Sequence, residues 1–203
     1  MAVMPASGEG SYHHGRLREA LLEAAERTVR EQGPDQLSLR ELARETGVSH
    51  AAPRRHFADR QALLDALAVV GFERLHAELR DGPAADPDGG FAARLEAAVQ
   101  TCLRFATRDA ALLELMFAGK HRPGADDVRA AAERTFGLLD QLIHEGERTG
   151  DLEAGSATDV GTVLFATLLG LAALANTGMT TQEELERLTA RAMALILRGA
   201  RPR

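Results

Sequence analysis

Apolar residues recur at helical spacing along most of the chain. From Leu17 to Val29 they follow one another at intervals of three and four residues, which predicts an amphipathic helix. No alternating apolar and polar pattern of useful length predicts a strand. We therefore expect an all-α fold of about nine helices. The predicted helices cover about residues 17–32, 38–46, 51–57, 60–79, 91–108, 110–118, 126–149, 156–177 and 181–198.

The segment 38–57 has the features of a helix-turn-helix. Ala43 is small enough for a second helix to pack closely, and Gly47, four residues later, tolerates the positive φ of the turn. Apolar residues flank the turn on both sides, as such a motif needs. Short helix pairs with a glycine turn also occur in proteins that never bind DNA, so the pattern alone leaves that alternative open.

Three local signals predict where the helices around this motif begin. Ser38 and Glu41 form a capping box, in which the serine hydroxyl caps the first helix and the glutamate reaches back to it. Asp59 is placed to cap the long helix that follows. Pro53 lies near the start of the second helix, where its missing N–H costs little, so we expect that helix to begin around Ala51.

Charge and cysteine content narrow the possible functions. The net charge of −6 argues against a nucleic-acid binder, but its distribution is uneven. Residues 11–60 hold nine arginines and eight acidic residues, whereas residues 81–203 hold thirteen basic and eighteen acidic ones.

Lys120 is the only lysine, and we attribute this preference for arginine over lysine to genome composition. Cys102 is the only cysteine, which excludes an intramolecular disulfide and suits a cytoplasmic protein with that side chain buried.

The N-terminal third resembles the TetR family of transcriptional regulators. The stretches LSLRELARETGVS and RHFADRQALLDAL carry the resemblance, which is specific over about residues 12–70. YHHGRLREALLEAA and SHAAPRRHF are similar to one subgroup of that family. Beyond residue 80 the resemblance is mainly architectural. The expected organisation is a flexible leader (1–11), a three-helix DNA-binding domain (12–60), a connecting helix (61–80) and a helical ligand-binding and dimerisation domain (81–203).

The resemblance implies which residues contact DNA. The helix near Ser49 would lie in the major groove, and the start of the preceding helix would meet phosphate. Tyr12, His13, His14 and Arg16 form either an arm along the DNA backbone or part of the leader. The implied DNA-binding residues are Ser38, Arg40, Ser49, His50, Ala51, Ala52, Arg54, Arg55, His56 and Arg60.

Arg54 departs from the family pattern, which usually has tyrosine at this position. An arginine there either reads guanine with its paired donors or holds phosphate, and we favour phosphate. The operator preference of relatives that carry the tyrosine therefore does not transfer to this chain.

The second domain contains apolar residues that could wall an effector pocket. The ligand-binding candidates are Cys102, Phe105, Leu113, Met116, Phe117, Phe136, Leu139, Phe165 and Leu168. The same side chains also fit a packed core, which is the stronger interpretation for any single one. A pocket of this composition would take a small, mostly apolar effector. Arg104, Thr107, His121 and Asn176 are candidate polar anchors.

The last two helices, 156–177 and 181–198, are predicted to form a homodimer interface. The first is apolar nearly all round, and Gly161 and Gly170 would permit close helix crossing. The second places Leu185, Leu188, Ala192 and Leu195 on one stripe. The longest apolar run, residues 160–175, is shorter than the roughly 20 residues that a membrane span needs. Pairing both helices across a two-fold axis would make a four-helix bundle.

An enzyme is the main rival interpretation, and the sequence gives it little support. Glu73 and His76 have the spacing found in di-iron bundles, but no second such pair exists and both side chains are expected on a solvated helix face. No zinc-binding spacing or phosphate loop is present, and no cofactor is expected. The prediction is a homodimeric repressor that binds a palindromic operator and responds to an apolar effector. The alternative is an all-α interaction or ligand-binding module without DNA binding.

Overall fold

The chain folds into α-helices joined by short connections. The structure is a computed structural model that describes residues 9–86 and 88–202, with side chains from Arg16 onward. Within these ranges it contains no strand, which confirms the all-α prediction. The eight α-helices described there are α1 (Glu9–Gln32), α2 (Leu39–Glu45), α3 (Arg60–Arg80), α4 (Phe91–Arg108), α5 (Ala110–Lys120), α6 (Asp126–Thr149), α7 (Ala157–Asn176) and α8 (Gln182–Gly199). Pro34–Gln36, Pro53–Arg55 and Pro83–Ala85 form single turns of 3-10 helix.

Helix α1 is longer than its apolar periodicity predicts. It begins at Glu9 rather than Leu17, so residues 9–11 of the predicted leader are helical. Residues 1–8 lie outside the described part of the chain, as do the side chains of Tyr12, His13 and His14 in the predicted arm. The polar first turns carry no apolar stripe, so helical periodicity gives no signal there.

The turn of the helix-turn-helix forms as predicted. Ala43 is fully buried, and Gly47 adopts φ 70° in the left-handed region. The amide of Val48 donates to the carbonyl of Ala43 at 2.9 Å, which closes the end of α2. These contacts turn the chain sharply and present the residues after Val48 on the surface.

The two predicted helix caps have different outcomes. Asp59 accepts a hydrogen bond from the amide of Ala62 at 2.8 Å and caps α3, which confirms that prediction. Ser38 occupies the N-cap position of α2 but makes no side-chain cap hydrogen bond, so the predicted capping-box bond is wrong. The sequence therefore located the start of α2 correctly but not the contacts that hold it.

Helix α3 is the central element of the fold, and it packs against α5 and α6. It crosses α5 closely at Gly71, where a Cβ atom would lie only 2.6 Å from Sδ of Met116. Phe72 is fully buried, and its carbonyl accepts a hydrogen bond from the hydroxyl of Thr135 in α6 at 3.1 Å. Because α3 begins in the helix-turn-helix unit and ends among the C-terminal helices, it joins the two parts of the molecule through one core.

The described residues of the connection between α3 and α4 pack against these two helices. Ala84 is buried, and Nε of Arg94 in α4 donates to its carbonyl at 3.3 Å. The single 3-10 turn Pro83–Ala85 therefore forms a structured corner between α3 and α4.

Candidate functional site

The recognition segment that follows the turn is shorter and tighter than predicted. Residues 50–52 form a turn and Pro53–Arg55 a single turn of 3-10 helix, where an α-helix over about 51–57 was expected. Pro53 has no N–H to donate to the carbonyl of Ser49 four residues earlier. The amide of Ala52 donates to that carbonyl instead, at 2.9 Å, and Arg55 donates to Ala52 at 3.1 Å. These three-residue spacings are those of a 3-10 helix.

Two buried side chains anchor the recognition segment to the domain. Pro53 is buried, and Phe57 is buried beneath the guanidinium of Arg18, whose carbon lies 5.5 Å from the centre of the ring. The anchors lie four residues apart and face the core. Arg54 and Arg55, which lie between the two anchors, are exposed.

Most of the predicted DNA-binding residues are exposed. Ser49, His50, Ala51, Arg54 and Arg55 are exposed, whereas Ala52 and His56 are half-buried. Arg40 of α2 is exposed as well. Within the described part of the chain, Arg40, Arg54 and Arg55 take part in no side-chain hydrogen bond or ion pair. Their guanidinium donors therefore remain available to an external anion.

Arg60 differs from Arg40, Arg54 and Arg55 because two of its nitrogen atoms donate hydrogen bonds within the chain. Its Nε donates to the carbonyl of Leu37 at 3.1 Å, and Nη2 donates to the carbonyl of Pro34. Asp35 lies 3.6 Å away. Arg60 thus braces the connection between α1 and α2, and the phosphate contact that the resemblance implies for it stays a prediction.

A network of paired charges joins α1 to α3 and to the corner between α4 and α5. Arg74 donates to both carboxylate oxygens of Glu26, at 3.0 and 2.9 Å. Asp109, whose side chain is 4% exposed, lies 2.7 Å from Arg108, 3.5 Å from Arg30 and 3.9 Å from Arg74. The hydrogen bond from Arg74, together with its charge and that of Arg30, lowers the pKa of Glu26 against the opposing effect of burial. We call this network the charged joint.

Three phenylalanine rings from three helices surround the ammonium group of Lys120. Its Nζ lies 4.5 Å from the ring centre of Phe117 in α5, 4.9 Å from that of Phe136 in α6 and 5.3 Å from that of Phe165 in α7. The three rings also contact one another, with centres 5.7–6.1 Å apart. Burial lowers the pKa of Lys120.

An apolar cleft of about 420 Å³ opens beside Lys120 between α6 and α7. Its volume is within the range of small-molecule sites. We call it the Lys120 cleft. It is lined by Lys120, Phe136, Leu139, Asp140, Ile143, Ala157, Thr158, Gly161, Thr162, Leu164, Phe165 and Leu168.

The predicted ligand-binding residues divide between the cleft and the core. Phe136, Leu139, Phe165 and Leu168 line the cleft, and the ring of Phe117 packs against two of them. The remaining candidates do not line it. Phe105 and Met116 are fully buried in the core, and Cys102 and Leu113 pack against core residues.

Two of the four candidate anchors make hydrogen bonds within the chain, and the thiol of Cys102 is buried. Asn176 donates to the carbonyl of Ala106 at 3.1 Å, and Arg104 donates to the hydroxyl of Thr101 at 3.0 Å. Burial, with a smaller contribution from the charge of Glu78, raises the pKa of Cys102 to about 12, so the thiol is unreactive near neutral pH.

The sequence interpretation missed Lys120 as a site residue. It had one usable signal, since a single lysine in a chain with 24 basic residues is an exception to a strong arginine bias. Lysine differs from arginine in having a compact ammonium that adapts to a desolvated site. Its place among the rings depends on three helices that only the fold brings together.

Glu73 and His76 do not form a metal site with other residues. Glu73 is exposed, but His76 is half-buried and its Nδ1 is a buried atom with no hydrogen-bond partner, so the predicted solvated face is wrong for His76. Among the residues that the structure describes, no three histidine, cysteine or acidic side chains converge as metal ligands.

The last two helices and the connection between them leave apolar side chains exposed. Val163 is 51% exposed, Leu195 62% and Met179 73%, and Leu169 and Leu174 are exposed as well. A side chain at Gly170 would meet nothing within 4 Å, although one at Gly161 would contact Ile143. Of the predicted stripe on α8, Leu185 is buried in the chain's own core and Leu195 is exposed.

Helix α7 is the one described helix whose length and composition would fit a membrane span. An 18-residue stretch of α7 has a mean hydropathy of 1.7, and 28% of that stretch is buried within the fold. One face of α7 nevertheless packs against α4, α6 and α8 within the folded domain. A single helix of this kind does not indicate a membrane protein.

The comparisons with known families match both parts of the chain. Residues 21–67 match the family described as bacterial regulatory proteins, tetR family, and residues 95–196 match the tetracyclin repressor-like C-terminal domain. A search of curated proteins gave no match.

Solved structures resemble the whole chain. A protein of unknown function from Rhodococcus sp. RHA1 is 42% identical, with a TM-score of 0.85 over 96% of this chain and 100% of that one. The TetR family transcriptional regulator PfmR from Thermus thermophilus is 19% identical, with a TM-score of 0.68 over 88% and 97%. The transcriptional regulator FadR from Bacillus subtilis, solved in complex with stearoyl-CoA, is 14% identical, with a TM-score of 0.73 over 89% and 98%. The last two likenesses show the fold alone.

Proposed function

Because the chain belongs to the TetR family of bacterial regulatory proteins, we propose that it is a ligand-responsive transcriptional repressor that binds operator DNA. The observation that carries this proposal is the recognition segment, which exposes Arg54 and Arg55 beside a buried proline anchor. Neither guanidinium is paired with a carboxylate among the described residues. A regulator of this kind binds and releases DNA without catalysing a reaction, and it acts in the cytoplasm.

The recognition segment enters the major groove in the proposed complex. His50 and Ala51 face the bases, while Arg54 and Arg55 hold the phosphates on the wall of the groove. Ser38 and Arg40 at the start of α2 contact the adjacent backbone. Support for this assignment comes from the exposure of the four arginine and histidine side chains and from the two anchors that fix the segment's orientation.

A homodimer through α7 and α8 accounts for their outward apolar residues. Val163, Leu174 and Leu195 would otherwise remain in contact with water, and the open space over Gly170 suits close approach of a helix from a second copy. A two-fold dimer places two recognition segments on half-sites about one turn of DNA or more apart. The operator is therefore expected to be palindromic.

A small, mostly apolar effector would bind in the Lys120 cleft and control the dimer. The fold neighbour that holds stearoyl-CoA is an example of this architecture with a ligand that has a long apolar chain. Helix α5 runs from the charged joint at Asp109 to the cleft at Lys120, and α3 connects both to the helix-turn-helix. An effector changes DNA binding only if it binds one arrangement of these helices more tightly than another.

Selection of bound sequences from random DNA tests this function. Wild-type protein at moderate salt should enrich a palindromic sequence. Arg54→Ala and Arg55→Ala should weaken binding to every sequence alike and flatten its salt dependence, as loss of phosphate contacts does. Arg129→Ala is the matched control, since this arginine is exposed on α6 and pairs only with Asp126 of its own helix among the described residues.

Three outcomes would contradict parts of the proposal. Enrichment of no palindrome would reject the DNA-binding function and leave an all-α ligand-binding module. Relaxed preference at one operator position in Arg54→Ala would assign that residue to a base contact. A loss of DNA affinity in Arg129→Ala equal to that in Arg54→Ala and Arg55→Ala would show that DNA binding depends on net charge alone.

A further inference from the structure

Lys120 is a half-buried cation that has no anionic partner among the residues that the structure describes. Among the described residues no carboxylate lies within ion-pair distance of its Nζ, although the chain holds more acidic than basic residues. Asp140 also lines the cleft, but its side chain is 74% exposed and one of its carboxylate oxygens lies 3.7 Å from Nε2 of His144 on the same helix. The ammonium is therefore compensated only by the faces of the three phenylalanine rings.

The protein keeps this ammonium partly out of water. Lys120 ends α5, where the side chain could extend into solvent, yet its Nζ lies within 5.3 Å of three ring centres. Burial lowers its pKa, which means that the charged form is destabilised in this position. An anion bound beside it would relieve that destabilisation and gain a strong interaction in a setting of low polarity.

The shape and chemistry of the cleft define the ligand class. The wall formed by Phe136, Ile143, Leu164 and Leu168 suits an apolar body, and Lys120 at one side suits a single negative charge. A cationic ligand would be repelled by Lys120. A neutral apolar ligand would fill the cleft but leave the ammonium without a partner. Charge complementarity thus selects an apolar molecule that carries an acidic group.

We propose that the Lys120 cleft binds an amphipathic carboxylate, with the carboxylate held by the ammonium of Lys120 and the apolar body lying along α6 and α7. This inference rests on the proposed function, because it names the chemical class of the effector for the sensor domain. Lysine suits this position because its compact ammonium fits among three rings and still presents a donor to the cleft.

Direct binding measurements with the full-length protein test the proposal. The probes are dodecanoate and biphenyl-4-carboxylate, each compared with the neutral alcohol of the same skeleton, in a titration calorimeter at neutral pH. We expect wild-type protein to bind at least one carboxylate more tightly than its alcohol. In Lys120→Met, which keeps the chain length without the charge, the carboxylate should bind about tenfold or more weakly, as after loss of a charge-assisted hydrogen bond.

Arg129→Met is the matched control for this titration. It removes one positive charge from the exposed side of α6, where Arg129 pairs with Asp126 at 2.9 Å. The carboxylate should bind this variant as it binds wild type. Unchanged carboxylate binding in Lys120→Met, or equal losses in both variants, would overturn the proposal. So would wild-type protein that binds neither carboxylate, or that binds each alcohol as tightly as its acid, and these two outcomes require no variant to fold.

The test separates this proposal from the proposed function. Operator binding is measured on the same preparations without any probe. Lys120-dependent carboxylate binding without DNA binding would support the site and reject the regulator. DNA binding together with a failure of both carboxylates would reject the site alone.

Discussion

The two ends of α5 hold their charges in opposite ways. At the N-terminal end, Asp109 is almost fully buried and lies among three guanidinium groups of the charged joint. At the C-terminal end, Lys120 lies among three rings and has no carboxylate beside it in the described structure. The helix between them has 11 residues, about 16 Å at the rise of an α-helix.

This difference separates a structural use of charge from a binding use. Paired charges fix geometry, because each guanidinium at the joint is held by a carboxylate from another element. An unpaired, half-buried ammonium contributes little to the fold and keeps its capacity to bind an anion. We therefore expect substitutions at the joint to change stability, and those at the cleft to change ligand binding.

Replacing Arg74 by methionine should produce the largest loss of stability among these tests. It removes both hydrogen bonds to Glu26 and leaves that carboxylate and the buried Asp109 with fewer partners. Breaking a fully buried pair costs about 3–5 kcal/mol. Because the Arg74 side chain is 35% exposed, we expect about 2 kcal/mol in the free energy of unfolding, measured by urea denaturation.

Arg27→Met is the control for this prediction. It breaks the pair between Arg27 and Glu45, which lies at 2.6 Å but has side chains 52% and 46% exposed. Water screens such a pair, so the loss should be much smaller than for Arg74→Met. Similar losses of unfolding free energy in Arg74→Met and Arg27→Met would show that burial does not strengthen the ion pairs of the charged joint.

Acid should remove part of the stability that the joint supplies. The hydrogen bond from Arg74 lowers the pKa of Glu26 below its ordinary value of 4.5. Its contribution is therefore complete above pH 4.5 and is lost as the pH falls through the pKa of the folded state. The difference in unfolding free energy between wild type and Glu26→Gln should shrink below pH 4.5. A constant difference across that range would mean that Glu26 is not stabilised as a carboxylate.

Local sequence signals were sufficient for the turn of the helix-turn-helix and for the start of α3. Ala43, Gly47 and Asp59 act through neighbours within four residues along the chain, and each has the predicted conformation or contact. Helix bounds from α3 to α8 also follow the apolar periodicity closely, since the buried face of each helix is encoded in its own residues. The resemblance added residue roles that periodicity could not supply.

Features that depend on competition or on distant residues were not predictable. Near Pro53 the amides of Ala52 and Arg55 donate hydrogen bonds to carbonyls three residues earlier, where an α-helix was expected. The sequence pattern does not show which of the two conformations is more stable. The joint and the cleft each combine side chains from three or more helices. Phe117 and Phe165 are 48 residues apart, yet their rings lie 5.7 Å apart in the fold.

Replacing Lys120 by methionine should change stability far less than the change at the joint. The variant loses the attraction between the ammonium and three rings, worth about 0.5–2 kcal/mol in known cases. The variant also avoids the unfavourable free energy of holding a charge away from water. In addition, the thioether of methionine packs well against aromatic rings. We expect a net change within about 1 kcal/mol in urea denaturation. A loss as large as that of Arg74→Met would mean that Lys120 supports the fold.

Raising the pH should give the smallest of these changes in stability. The shift concerns a base, Lys120, whereas the acid prediction concerns the carboxylate of Glu26. Burial lowers the pKa of Lys120 below its ordinary value of 10.5, so the folded state releases this proton before the unfolded state does. The unfolded state then binds more protons, and wild-type stability relative to Lys120→Met should rise as the pH approaches 10.5. A bound carboxylate should cancel that rise, because it stabilises the ammonium. If relative stability fell instead, the rings would be stabilising the charged form, and Lys120 would need no anion.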